Sequence, residues 1–370
     1  MAQSSIEWTD AVWNPVTGCS KVSPGCKHCY AERMAKRLAG RDGYPADEPF
    51  RVTLHPEKLD LPLRWRKPRR IFVNSMSDLF HEMVMDSFID KVFAVMALAP
   101  RHTFQILTKR PERMLSYLSA AGVSKRVDDA ALAIATKWDF DRTAPGKPLP
   151  TEFLLGRANE LPLPNVWLGT SVENQQTADE RIPLLLQTPA AVRFISAEPL
   201  LGAVDLGELT WVSLPRGVRG DSPFQSTFAA AGIRRAHTNR FGAMSAIAEA
   251  GEWLGIKPAE MDWCRKLDWV IVGGESGPGA RTMHPDWARR IRDACKAAGV
   301  PFLFKQHGEW LPADEHMRGM WPERANGKVI ARDWWPRHDW EDGLSSYRVG
   351  KRRAGRLLDG VLHDEYPEVR

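Results

Sequence analysis

No stretch of this chain approaches the roughly 18 uncharged apolar residues that a membrane-crossing helix needs. The first ten residues, MAQSSIEWTD, offer neither a basic opening nor an apolar core, so no secretory leader is evident. Both absences point to a cytoplasmic protein with no membrane partner. Internal repeats and low-complexity tracts are missing too, and 370 residues then allow one long α/β domain with insertions or two small domains. A strong net charge is also lacking, since 51 Lys and Arg against 46 Asp and Glu leave only +5. Cysteine is scarce, five in the whole chain. In a reducing compartment, clustered thiols mean metal or catalysis more often than disulfides.

What charge there is lies unevenly. RWRKPRR (64–70) packs five cations into seven residues, and VGKRRAGR (349–356) is a second basic run. Either alone reads as solvated surface. Together with 15 Trp they suit phosphate contact and base stacking, so nucleic acid is a candidate partner.

From residue 66 onward, short apolar runs alternate with amphipathic ones. The strand candidates are RIFVNS (70–75), TFQILTK (103–109), VWLGTS (166–171), AVRFISAE (191–198), WVIVGGES (269–276) and PFLFKQ (301–306). Helical patterns cover 86–99, 111–122, 177–188 and 285–299, the second and fourth opened by Pro111 and Pro285 and closed by Gly122 and Gly299. Near-continuous apolar strands between helices predict a parallel sheet, closed as a partial or complete βα barrel of the TIM type. Two segments, 123–165 and 203–266, read as insertions into one domain. Residues 307–370 read as an irregular C-terminal extension. Each strand ends in polar or ionisable groups: Asn74-Ser75, Thr108-Lys109, Ser171 with Glu173, Ser196 with Glu198, Gly274-Glu275-Ser276 and Lys305-Gln306. In βα folds that edge is where sites are built.

The cysteines supply the sharpest signal. TGCSKVSPGCKHCYAERMAKRLAG (17–40) sets Cys19, Cys26 and Cys29 in a loop that feeds a helix, whose Tyr30, Met34 and Leu38 recur at four-residue spacing. A helix N-terminus favours thiolate and an anionic cluster. A structural zinc would need a fourth ligand, with His28 badly placed and His55 or His81 as substitutes. A fully ligated iron–sulfur centre would show four cysteines. A [4Fe–4S] cluster on three leaves one iron open for a small molecule. Cys264 and Cys295 stand alone and read as small core hydrophobes.

The segments IEWTDAVWNPVTGCSKVSPGCKHCYAERM, IFVNSMSDLFHE, FQILTKRPERM, VWLGTSVENQ, DERIPLLL, FISAEPLLG, DWVIVGGESGPGAR and PFLFKQHGEW closely resemble a family of three-cysteine phage and bacterial proteins of unassigned function. That family is in turn similar to the radical S-adenosylmethionine enzymes, nearest to the spore photoproduct lyase branch, with Asn74–Phe80 and Thr108–Arg110 matching its strand-end loops. The first cysteine gap here is six residues where those enzymes usually have three, and NSMSD stands where they carry Gly-Gly-Glu.

The resemblance implies that Cys19, Cys26 and Cys29 hold a [4Fe–4S] cluster whose fourth iron binds S-adenosylmethionine. It implies an electron donor as well. Lys109 or Arg110 would pair the cofactor's carboxylate. Asp78 or Glu173 would meet its amino group or ribose hydroxyls, with Ser75, Ser77 and Ser171 adding hydrogen bonds. Glu198, Glu275 and Lys305 would hold a substrate or move protons. For each of these side chains a structural ion pair is the competing reading. GGESGPGAR (273–281) reads either as an amide cradle for phosphate or adenosine, or as a tight turn. The expected function is a radical enzyme acting on a nucleic acid or nucleotide. The alternative is a non-catalytic nucleic-acid-binding phage protein stapled by zinc or iron–sulfur.

Overall fold

A computed structural model describes residues 4, 6–140, 161–206, 210–211, 237–238, 267–315 and 335–368. Most of the second expected insertion, together with Cys264, lies outside the described residues, as do residues 141–160 of the first.

The fold is mixed α/β. Its main sheet has seven strands: β1 (Ala11–Trp13), β2 (Arg70–Val73), β3 (Thr103–Thr108), β4 (Val166–Ser171), β5 (Val192–Ala197), β6 (Trp269–Gly273) and β7 (Phe302–Gln306). Their order in the sheet follows their order in the chain. From β1 to β5, and again from β6 to β7, neighbouring strands run parallel. The six expected strands are all present. β1 was missed because three residues, Ala-Val-Trp, are too short for a pattern. Among the described residues, the helices of eight or more residues are α1 (Tyr30–Arg37), α2 (Asp86–Leu98), α3 (Pro111–Leu118), α4 (Val123–Phe140), α5 (Gln175–Gln187) and α6 (Pro285–Ala298). The chain divides into two compact units: residues 1–171 with 188–196, and 172–187 with 197–370.

In the first unit, β4 is buried along its whole length, including its polar Thr170 and Ser171, as its apolar start VWLG suggests, while β2 alternates. Trp13, Ile71, Phe104 and Phe194 are essentially inaccessible. Each such side chain contributes roughly 1.5–3 kcal/mol of transfer free energy. Helix α2 is apolar nearly all round and accordingly buried from Phe88 to Leu98 apart from the exposed Lys91. Helix α4, the start of the first expected insertion, lies against it. Buried Asp90 ties the two together, accepting from the Tyr117 hydroxyl at 2.8 Å and Arg126 Nε at 3.2 Å.

In the second unit, β6 is wholly buried and α6 turns Ala288, Ile291 and Cys295 inward. Cys295 is a core residue, and burial pushes its thiol pKa up. Past residue 306, strands β8 (Trp310–Pro312), β9 (Arg337–Asp339) and β10 (Ser345–Arg348) make an antiparallel sheet in the order β8–β10–β9. Arg289 bridges Asp286, Asp314 and Asp359, and Glu365 accepts from Trp269 Nε1 and the Phe302 amide, which straps the C-terminal segment to β6 and β7. The loops after those strands touch through bare backbone. A Cβ on Gly274 would sit 2.0 Å from the His307 carbonyl oxygen, and one on Gly308, whose φ is +82°, would sit 2.1 Å from that of Glu275.

Candidate functional site

The cysteine loop lies in the first unit. It enters through Gly18, whose φ is +82° and whose missing Cβ leaves room for the Arg51 carbonyl oxygen. The amides of Gly18 and Cys19 donate to Met76 O and Phe50 O, both at 3.1 Å. A short 3₁₀ turn, Pro24–Cys26, follows, and Cys29 stands at the N-cap of α1 with no side-chain capping bond. All three cysteines are half-buried. Ala31 and Ala35 are buried with Tyr44 and Met76, and Met34 and Leu38 of the expected stripe pack against that cluster, while Tyr30 is exposed.

Around Cys19 the structure assembles a polar network. Arg110, just past the end of β3, directs NH1 at Cys19 Sγ (3.4 Å) and Asp78 Oδ2 (3.3 Å), Nε at Glu82 (3.1 Å), and NH2 at Ser20 Oγ (2.8 Å) and Ser20 O (3.3 Å). Asp78 is buried and receives three further donors: the Thr108 hydroxyl at 2.7 Å and the amides of Phe80 and Lys109 at 3.0 and 2.9 Å. Burial and the Asp78 carboxylate push the Cys19 thiol up to about 11, against the pull of Arg110. Ser75 donates to Asn14 Oδ1 and Ser77 to Val16 O, so both serines pin the strand-end loop.

Neither substitute zinc histidine has a lone pair to spare. His81 Nδ1 accepts from the Met83 amide at 3.1 Å, which puts the ring proton on Nε2, 2.8 Å from Ser20 Oγ. His55 lies between Thr17 Oγ1 at 2.8 Å and Glu57 at 3.1 Å. A tetrahedral zinc with Zn–S of about 2.3 Å holds its sulfurs about 3.8 Å apart. Among the described residues, the ligand atoms that gather in threes within 4.8 Å are those of His284, Asp286 and Asp342, and the three cysteines form no such group. At His284, Nδ1 accepts from the Asp286 amide, so Nε2 carries the proton and donates it to Asp342 at 2.9 Å. That trio is a hydrogen-bonded helix cap.

The remaining strand-end candidates lie in the second unit, except Ser171, which is buried at the end of β4 in the first. Each acid there meets a cation. Glu173, fully buried, pairs with Arg181 at 3.1 Å. Glu275 takes the Arg281 amide, Nε and NH2 between 2.6 and 2.9 Å, closing GGESGPGAR on itself, and Glu309 Oε1 accepts the Gly277 amide. That loop is a stitched turn. Glu198 is shared by Lys305 Nζ (2.9 Å) and Gln306 Nε2 (3.1 Å), and it keeps about a fifth of its side chain exposed.

The basic run at 64–70 is partly absorbed. Arg64 pairs with Asp60, Arg70 with Asp10, and Arg69 lies 5.6 Å over the Trp65 ring. Arg66 and Lys67 are exposed, as are Lys351, Arg352 and Arg353 of the second run. The sequence did not single out Ser20 or Glu82 as site residues, and no local pattern marks them; Gln306 was marked only as part of a polar strand end. A model of the family described as "Protein of unknown function (DUF5131)" matches residues 3–367. No curated protein and no solved structure matches.

Proposed function

The chain belongs to the DUF5131 family, and we propose that it is an iron–sulfur, S-adenosylmethionine-dependent enzyme built on a partial βα barrel and acting on a nucleic-acid or nucleotide substrate. The observation that carries this reading is the donor set. Three half-buried thiols share one loop, Arg110 directs an N–H at one of them, and His55 and His81 have their ring nitrogens engaged elsewhere. Three protein ligands fit a [4Fe–4S] cluster with one open iron.

Cys19, Cys26 and Cys29 would hold the cluster, which when bound supplies an electron and a binding position for S-adenosylmethionine. Lys109, at the end of β3, is the cation proposed to meet the cofactor's carboxylate. Asp78 and Arg110, whose polar atoms are engaged by the cysteine loop and its neighbours, act by fixing that loop. In the second unit Glu198 and Lys305 are proposed to handle substrate or a proton, since they retain exposure. Glu173 and Glu275, deeper and paired with arginine, hold the fold. The exposed cations Arg66, Lys67, Lys351, Arg352 and Arg353 support the polyanionic substrate class.

Anaerobic reconstitution, followed by iron, sulfide and zinc analysis and by visible and EPR spectra with and without S-adenosylmethionine, tests the proposal. The expected protein is brown and bleaches on reduction. Replacing any one of the three loop cysteines with Ala should abolish the colour, and Cys295→Ala should not. A colourless protein with one zinc per chain would refute it.

A further inference from the structure

The geometry points to Arg110 as a positioning residue that tunes the reduction potential of a cluster held at Cys19, an inference that rests on the cluster reading above. Its NH1 lies 3.4 Å from Cys19 Sγ, at the distance of an N–H···S hydrogen bond, and the guanidinium is held there from several sides. Asp78, Glu82 and the Ser20 backbone and hydroxyl all bind it, and Arg110 keeps only a tenth of its side chain exposed. The Arg110 amide in turn donates to Thr108 Oγ1 at 2.8 Å, and the same hydroxyl donates to Asp78. The donor is therefore pre-aimed, and no rotamer search is needed to bring it onto the sulfur.

The chemistry follows from charge. A one-electron reduction of the cluster makes and breaks no bond and adds one negative charge to the cluster and its thiolates. A fixed cationic donor on one thiolate stabilises the reduced form more than the oxidised one, because hydrogen bonds to sulfur and local charge set the potentials of such centres. The electron would come from a low-potential one-electron donor, represented in the test by dithionite. Asp78 moderates the effect through its own negative charge and prevents Arg110 from swinging away. The network thus assigns the arginine to the metal loop, where the sequence offered it as a partner for a cofactor carboxylate.

The test is an anaerobic redox titration, followed by EPR, of reconstituted wild-type, Arg110→Gln, Arg110→Lys and Arg113→Gln proteins, each with its iron content. Arg113 supplies the control. It sits on the same helical turn but binds Asp86 and Val84 O at 2.8 Å. The expected result is full iron loading throughout, a midpoint potential shifted clearly negative in Arg110→Gln, a smaller negative shift in Arg110→Lys, and none in Arg113→Gln. A loaded Arg110→Gln protein with the wild-type potential would overturn the inference while leaving the cluster reading intact. So would equal shifts in Arg110→Gln and Arg113→Gln. If Arg110→Gln fails to load, Arg110→Lys decides: loading with a small negative shift supports tuning, and failure to load shows that Arg110 is needed for assembly instead. Wild-type protein that binds no iron overturns the cluster reading itself.

Discussion

His307 follows β7 and is almost wholly enclosed, with 1% of its surface exposed. Its Nε2 is 2.7 Å from Leu357 O and must donate, and its Nδ1 has no hydrogen-bond partner. Desolvation, helped by the positive charge of Arg289, lowers its pKa to about 4, although Asp314 and Asp359 pull the other way. Once unfolded, the same ring takes a proton near pH 6.5. The unfolded state therefore binds more protons throughout the interval between those values. The stabilisation is complete above pH 6.5 and is lost as pH falls toward about 4. At about 1.4 kcal/mol per pH unit, that interval corresponds to about 3 kcal/mol. Replacing His307 by Gln keeps a donor for Leu357 and removes the titration. Urea unfolding followed by tryptophan fluorescence, measured from pH 7.5 to 4, should show the wild type losing about 3 kcal/mol more than the variant across this window. Contributions from carboxylates and from the other histidines are common to both proteins and cancel in the difference. Two stability curves that stay parallel from pH 6.5 to 4 would refute the reasoning.

Glu173→Ala should cost about 3–5 kcal/mol, because the buried Arg181 guanidinium loses its carboxylate, and a Glu173→Leu/Arg181→Leu double variant should recover most of that loss in the same unfolding assay. A single-variant cost below about 1 kcal/mol would show that the pair does not hold the fold. Tyr117→Phe should destabilise by about 1–3 kcal/mol, since the buried Asp90 carboxylate loses a 2.8 Å donor, and thermal melting reads this directly. If the run at 64–70 contacts nucleic acid, neutralising Arg66 and Lys67 together should lower the salt slope of binding by about two. Neutralising the acid-paired Arg64 and Arg70 should change it little, and equal effects would restore the whole run as an interface.

Much of the sheet could be read before the structure was seen. Runs such as VWLG and WVIVGG carry no polar side chain, and a strand buried on both faces suits that composition. The helix over 285–298 was equally legible, because Pro285 and Gly299 mark both ends. Helix α4 was hidden inside a segment read as an insertion, since its inward contacts depend on Asp90, which lies 36 residues before Arg126. The cysteine loop announced itself through three thiols and a following helix. What surrounds it did not. Arg110 reaches Cys19 across 91 residues and Ser20 meets His81 across 61, and nothing in either local sequence specifies that contact. Which acid pairs with which base at the strand ends was likewise decided by packing, so their occupancy by protein partners could not be read from residue types.

The back-to-back contact at Gly274 and Gly308 bears on how this chain can diverge. With 2.0 and 2.1 Å available where a Cβ would stand, neither position accepts even alanine without moving the facing backbone. The two loops are therefore constrained as a pair, although they lie on either side of a helix and a strand. A recombination breakpoint between them would join loops shaped against different counterparts, whereas crossovers that fall outside 274–308 would transfer the matched pair whole. In a library of chimeras with sibling chains, soluble clones should retain both loops from one parent.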